Sequence, residues 1–325
     1  MKLHQNKRLF TEAIRKTASE LNLPEIFVEK DYWVTYMLKS LFQSDISHQI
    51  VFKGGTDLSK CHKLIDRFSE DIDLSVVMDN EESSTRIANR IRVISKKAAE
   101  ILPEIQIEGL TSKHGNLRKT AHEYDKVFKG DFGQARDILI VEVSRLGHFE
   151  PYTTLPVDTL IAKMMSDEGQ SSMLQEYELE PFSVRVLHLN RTLCEKIMSL
   201  VRFSFTEQPL IDLKAKIRHT YDLHKLLAVD EVRSFFNSSG FDEMINKVGK
   251  DDVESFKSGS DWLKNHPSTA LIYENSKETW KELSSTYKNE FSKLVYGQLP
   301  KESDILATLI DIHSRLEEVD WQIKD

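Results

Sequence analysis

Asp71 and Asp73 stand two residues apart at the head of an apolar run, Asp71-Ile72-Asp73-Leu74-Ser75-Val76-Val77. If that run is a strand, alternation puts both carboxylates on one face and Ile72 and Leu74 on the other. Neighbouring carboxylates repel unless a cation sits between them, and hard oxygen donors that leave room for water and phosphate oxygens suit Mg2+. Upstream, Gly54-Gly55-Thr56-Asp57 follows a second apolar run, Ile50-Val51-Phe52. A glycine pair lets the backbone approach a ligand closely, and free N–H groups at the start of a following helix suit a phosphate. A phosphate cradle followed by Asp-x-Asp is equipment for phosphoryl or nucleotidyl transfer. No Gly-Lys-Ser/Thr follows the glycines, so the turn is not a P-loop. Gly-Gly-Thr alone would be an ordinary turn, and Asp-x-Asp alone could be the wet face of a half-exposed strand. The order strand, glycine turn, helix, strand carries the reading.

The elements that must position these residues follow from periodicity. Ile50–Phe52 and the run from Asp71 read as strands. Between them Leu58–Ile65 reads as a helix with Thr56 or Asp57 as N-cap. Residues 6–22 and 24–43 read as amphipathic helices, the second starting at Pro24, and 82–101 as a third. Residues 105–130 look like irregular strands and a basic loop over 113–119. Residues 138–144 are the clearest buried strand, and Glu142 interrupts it. A carboxylate there is costly unless paired or metal-bound, or else it lies at an exposed strand end. Residues 157–165 read as a helix, 166–172 as a polar loop and 182–189 as a strand. A helix then starts near Asn190 or Thr192, with Glu195 completing a capping box on Thr192. Another spans Leu210–Leu227, where Arg218 and Asp222 are spaced for a helix ion pair. The remainder reads as all-helical, over 229–236, 240–248, 251–265, 270–295 and 300–322.

The chain has 325 residues, 40% apolar and 30% charged, with a net charge of −8. That length suffices for two or three packed units. The acidity is concentrated late: residues 226–325 hold 12 Lys/Arg against 19 Asp/Glu, whereas 84–136 hold 11 against 6. Such local basic surface can bind a phosphate backbone, although solvated helix faces give the same counts. No apolar run approaches the roughly 18 residues of a membrane span, and the N-terminus does not read as a signal peptide. The two cysteines, Cys61 and Cys194, suit neither a disulfide framework nor zinc spacing, which points to a cytoplasmic setting. No Gly-x-Ser-x-Gly elbow or His-Glu-x-x-His is present. The Asp-Phe-Gly at 131–133 lacks every other kinase element.

Lys53-Gly-Gly-Thr, then Arg67-Phe-Ser69-Glu-Asp-Ile-Asp-Leu, resembles the signature of the AbiEii/AbiGii toxin nucleotidyltransferases within the DNA polymerase β-like superfamily. Glu29-Lys30-Asp31-Tyr32, Thr192-Leu-Cys-Glu-Lys196 and Arg218-His219-Thr-Tyr221-Asp222 resemble further motifs of that family in the expected order, over about residues 25–227. His219 stands where the family usually has Asp, which leaves the role of that position open. The resemblance implies an α+β fold, a mixed sheet with flanking helices, plus a C-terminal all-helical domain. The expected division is N-terminal helices over 1–45, a nucleotidyltransferase core over 46–190 and a helical domain over 191–325. It implies Asp71, Asp73 and Glu142 as ligands for Mg2+, with Mn2+ as the alternative. Gly54, Gly55 and Thr56 would cradle the NTP phosphates, with Lys53, Arg67, Ser69 and Arg218 completing the nucleotide-binding set. Lys196 would be catalytic, and Asp222 would orient it or activate the attacking hydroxyl. Lys30 and Asp31 would lie near the mouth of the site, or be ordinary surface charges. The implied function is a nucleotidyltransferase toxin of a toxin–antitoxin or phage-defence pair, with a cognate antitoxin and the tRNA 3′ end as acceptor. The alternatives are transfer to a protein or small-molecule hydroxyl, or a nucleotide-binding module without turnover.

Overall fold

Alternation of apolar and polar side chains along the central strands decides which face of the sheet is left for chemistry. The computed structural model describes residues 2–323, except 70, 80–81, 131–135, 146–147 and 257–258. Glu70 of the Arg-x-Ser-Glu-Asp motif and the Asp-Phe-Gly at 131–133 therefore lie outside the described residues. The chain divides into two units. One comprises Met1–Lys63, Arg67–Arg145 and Tyr152–Val186; the other comprises Leu64–Asp66, Leu146–Pro151 and Leu187–Asp325. Among the described residues no helix is long and apolar enough to cross a membrane.

In the first unit, helices α1 (Lys7–Leu21) and α2 (Glu25–Phe42) precede β1 (Ile50–Lys53), α3 (Gly55–Lys60) and β2 (Asp71–Val76). Next come α4 (Ser84–Ile101), β3 (Glu104–Ile105), β4 (Ser112–His114), β5 (Leu117–His122) and β6 (Leu139–Ser144). Last are β7 (Tyr152–Val157), α5 (Leu160–Asp167), α6 (Ser171–Glu176) and β8 (Phe182–Leu187). The strands form one mixed sheet in the order β3-β5-β6-β2-β1-β8-β7, with β4 paired to β5. β2 is antiparallel to β1 and parallel to β6, and β5 is antiparallel to β6. Phe52, Ile72, Leu74, Val141 and Val143 point into the main core, shared with Met37 and Leu38 of α2 and Ile87, Ile91 and Ile94 of α4. Each such buried side chain contributes about 1.5–3 kcal/mol. A one-residue slip would turn this apolar set outward and bury Asp71, Asp73 and Glu142, so the core fixes the register that presents the carboxylates.

The second unit holds α7 (Leu189–Ser204), α8 (Pro209–Ala215), α9 (Arg218–Leu227), α10 (Asp230–Phe236) and α11 (Ser239–Phe256), then α12 (Leu271–Glu274), α13 (Ser276–Asn289) and α14 (Glu302–Glu317). Helix α7 is its spine, with α8, α9, α10, α11 and α12 against it. Gly249 of α11 is required by close approach: a Cβ there would overlap Trp321, whose indole N–H donates to the Leu263 carbonyl at 2.8 Å. The three residues Leu64–Asp66 cluster with these helices. The Asp66 N–H donates to the Tyr221 hydroxyl (3.1 Å), its carbonyl accepts from Tyr296 N (3.0 Å) and Gly297 N (3.3 Å), and its carboxylate meets Lys225 Nζ at 2.9 Å.

The mixed sheet with flanking helices followed by an all-helical region matches the α+β expectation. Several boundaries differ. Helix α3 spans Gly55–Lys60 instead of Leu58–Ile65, because Gly54 is its N-cap and Lys63 takes a positive φ soon after it. The expected basic loop at 113–119 is the β4–β5 hairpin, part of the sheet. The expected helix over 157–165 starts only at Leu160, where Thr159 caps Ala162 N at 2.8 Å, and 152–157 before it is a strand. The expected loop at 166–172 contains the end of α5 and the start of α6. The expected helix over 210–227 breaks after Ala215 into α8 and α9, while 240–248 and 251–256 form one helix. His188, not Asn190 or Thr192, caps α7, because Glu195 is drawn to the fully buried Arg191 (3.1 Å), which also binds Asp251 (2.7 Å).

Candidate active site

Cross-strand register brings side chains from four strands into one row. Lys53 of β1 pairs with Asp73 of β2, Asp73 with Glu142 of β6, and Glu142 with Lys119 of β5. Two carboxylates thus stand together with a cation outside each, and Asp71 lies two residues along β2 on the same face. Lys119 Nζ is 3.4 Å from Glu142 Oε2. Withdrawal from water, reinforced by the Glu142 and Asp71 charges and opposed by Lys53 and Lys119, pushes Asp73 up to about 7. Asp71 Oδ1 is buried with no hydrogen-bond partner among the described residues. Crowded carboxylates, one with raised proton affinity and one with an orphaned oxygen, form a set that a cation would relieve. Among the described residues no three His, Cys, Asp or Glu side chains are already gathered tightly enough to hold an ion. The donors nonetheless fit a hard divalent ion, since Mg2+ keeps several waters and takes one or two carboxylates plus substrate phosphates.

The glycine turn abuts this row. Gly54 has φ 94° and ψ −158°, and a Cβ there would overlap the Asp73 carboxylate. A Cβ on Gly55 would collide with the Arg67 guanidinium and come within 2.8 Å of Ser69 Oγ. The fully buried Thr56 donates its hydroxyl to the Asp71 carbonyl at 2.6 Å and lies 3.0 Å from Ser69 Oγ. Arg67 is itself buried and donates to the Phe68 carbonyl at 3.2 Å, while the Phe68 ring stacks on Phe27 at 4.3 Å. Gly54, Gly55, Thr56, Arg67, Ser69, Asp71 and Asp73 are therefore one packed assembly, and its glycines are dictated by the side chains facing them.

The Glu29-Lys30-Asp31 run braces the assembly. Asp31 binds Lys60 at the end of α3 and accepts Leu160 N at 2.9 Å. Glu29 accepts Val127 N (2.6 Å) and Phe128 N (3.0 Å), and the buried Lys30 donates to the Arg136 carbonyl. These are internal ties rather than surface charges.

In the second unit, Lys196 of α7 donates to Asp222 Oδ2 of α9 at 2.7 Å. Asp222 is fully buried and Lys196 nearly so. Such a pair is costly to break, because either partner alone would be a buried charge. Arg218 opens α9, and the Tyr221 hydroxyl between it and Asp222 is the one that receives Asp66 N–H. His219 lies beside the pair. Burial, then Lys196 and Lys216, hold its imidazole well below the usual range, so it is neutral, and its buried Nδ1 has no hydrogen-bond partner among the described residues.

The expected residues thus fall into two groups: Lys53, Gly54, Gly55, Thr56, Arg67, Ser69, Asp71, Asp73 and Glu142 in the first unit, and Lys196, Arg218 and Asp222 in the second. Lys119 was not singled out from the sequence. Residues 117–122, Leu-Arg-Lys-Thr-Ala-His, carry no apolar alternation that would mark a strand, so the place of Lys119 opposite Glu142 is set by pairing alone.

A family profile described as nucleotidyl transferase AbiEii toxin, type IV toxin–antitoxin system, matches residues 36–321. A solved structure of MenT4, a nucleotidyltransferase toxin from Mycobacterium tuberculosis H37Rv, is similar in fold: TM-score 0.50 at 14% identity, covering 94% of this chain and 90% of that one. No curated protein sequence matches. The match over most of its length shows that the chain belongs to the AbiEii family of nucleotidyltransferase toxins, enzymes of type IV toxin–antitoxin systems that use nucleoside triphosphates with divalent metal ions and have an antitoxin partner.

Proposed function

We propose that the protein is a Mg2+-dependent toxin that transfers a nucleoside monophosphate from an NTP to the 3′-terminal hydroxyl of a tRNA. The observation that carries the reading is the row Lys53–Asp73–Glu142–Lys119 with Asp71 beside it and Gly54 shaped around the Asp73 carboxylate. Asp71, Asp73 and Glu142 would hold the metal, which when bound supplies positive charge to the phosphates. Gly54 and Gly55 let the turn that would cradle the triphosphate close on Asp73, Arg67 and Ser69, and Thr56 and Ser69 keep it against β2. Lys53 and Arg67 would offer cationic contacts to phosphate. For Arg218, and for Lys196 oriented by Asp222, the family resemblance supports the roles of a phosphate contact and of neutralising charge that develops on the leaving group. In the transfer the acceptor oxygen forms a bond to the α-phosphorus as the bond from that phosphorus to the bridging oxygen breaks. Pyrophosphate carries away the electron pair, and the hydroxyl proton passes to solvent. The basic stretches at 84–136 and 185–225 support a polyanionic acceptor.

The test is incubation of the purified chain with Mg2+, each α-labelled NTP and total tRNA, beside Asp71→Ala/Asp73→Ala. Label entering RNA with the wild type alone supports the reading. Label entering protein or a small molecule instead refutes the tRNA acceptor and keeps the chemistry. Label entering RNA equally with the variant refutes the site.

A further inference from the structure

We infer that Lys119 is a positioning residue that holds Glu142 in the metal-free protein and competes with a divalent ion for it, so that this lysine sets how tightly the carboxylates take the ion. The inference rests on the proposed metal site. Glu142 has two lateral neighbours in the sheet: Asp73 on β2, which repels it, and Lys119 on β5, which attracts it. Their contact, 3.4 Å, is longer than the about 2.7–2.9 Å of a charge-assisted hydrogen bond. Each side chain is 28% exposed, so the ammonium has water to retreat into. Beyond Lys119 on the same strand face is Ala121, clustered with Ile138 and Ile140. On its other side Lys119 is paired with the uncharged Ser112 of β4, so the sheet sets one carboxylate, Glu142, directly across from it. A tightly held pair would be shorter and more buried, as Lys196–Asp222 is at 2.7 Å. A lysine kept at this distance from a carboxylate that needs a cation is a placeholder: it lowers repulsion within the row while the ion is absent and opposes the ion when it arrives.

The test is Mn2+ binding to the full chain without nucleotide, read from the electron paramagnetic resonance signal of free Mn2+. Lys119→Met is expected to bind Mn2+ on the order of tenfold more tightly than wild type. Lys119→Arg, which keeps the charge, is expected to restore wild-type affinity, and added salt to narrow the gap. Lys119→Gln repeats the comparison should Met disturb the strand. Equal or weaker binding by the neutral variants, or failure of Arg to restore the wild-type value, overturns the inference. Asp71→Ala/Asp73→Ala separates the two readings: if it binds Mn2+ as wild type does, the metal site itself is wrong, whatever Lys119 does.

Discussion

Replacing Asp73 by Asn is expected to stabilise the metal-free protein, by an amount that grows as pH rises from about 4 to 7 and is full above that. Asp73 rises from an ordinary 3.8 to about 7 in the folded chain, because of burial and the Glu142 and Asp71 charges. Between those values the native state binds a proton that the unfolded chain has released. Stability is therefore highest below the unfolded value and is lost as pH rises through 7. Three pKa units at about 1.4 kcal/mol each set a ceiling of about 4 kcal/mol. The residual exposure of Asp73 and the screening by Lys53 and Lys119 reduce this to about 1–3 kcal/mol. An asparagine carries no such charge. Urea denaturation in EDTA should find the Asp73→Asn variant more stable by about 1–3 kcal/mol at pH 8, and by roughly a third of that at pH 5, because the loss develops between 3.8 and about 7. Mg2+ should then raise the wild type and not the variant. A gap that is the same at pH 5 and pH 8, or Mg2+ stabilising both equally, would refute the argument that crowding in the row is relieved by a cation.

Other expectations follow from single contacts. Gly55→Ala places a methyl group against Arg67 and Ser69 and is expected to cost about 1–3 kcal/mol in a thermal melt, with a KM for NTP raised more than kcat is lowered. Lys196→Met removes the ammonium paired with the buried Asp222 and should destabilise by about 3–5 kcal/mol. The double variant Lys196→Met/Asp222→Leu should recover most of that stability while remaining inactive in NTP transfer. Tyr221→Phe loses the acceptor for Asp66 N–H and should cost about 1–2 kcal/mol in chemical denaturation.

How much of this could be read from residues alone depended on whether partners were local. The Asp71–Asp73 face was legible because Ile72 and Leu74 alternate with the acids and need a core. Glu142 was legible as an anomaly inside an apolar strand, but its neighbour Asp73 is set by pairing that no window of sequence contains. Strand β7 was missed because it lies at the end of the sheet and its inward face holds only two apolar residues, Leu155 and Val157, with Pro156 between them. Lys119 was hidden in a hairpin whose Gly115-Asn116 tip and lysines read as loop. The capping box at Thr192 and Glu195 was locally sound and lost to a tertiary demand, the buried Arg191 guanidinium. Lys196 and Asp222 are 26 positions apart on different helices, and only the family resemblance joined them before the fold did.

The chain passes between its two units five times, at 63/64, 66/67, 145/146, 151/152 and 186/187. This has a genetic consequence. A stop codon or frameshift before 187 removes every helix from α7 onward, and with them the residues that hold Asp66, which lies next to Arg67 in the chain. A chain cut short there also lacks Lys196 and Asp222, so the reading frame must run through α9 before every candidate site residue is in the chain.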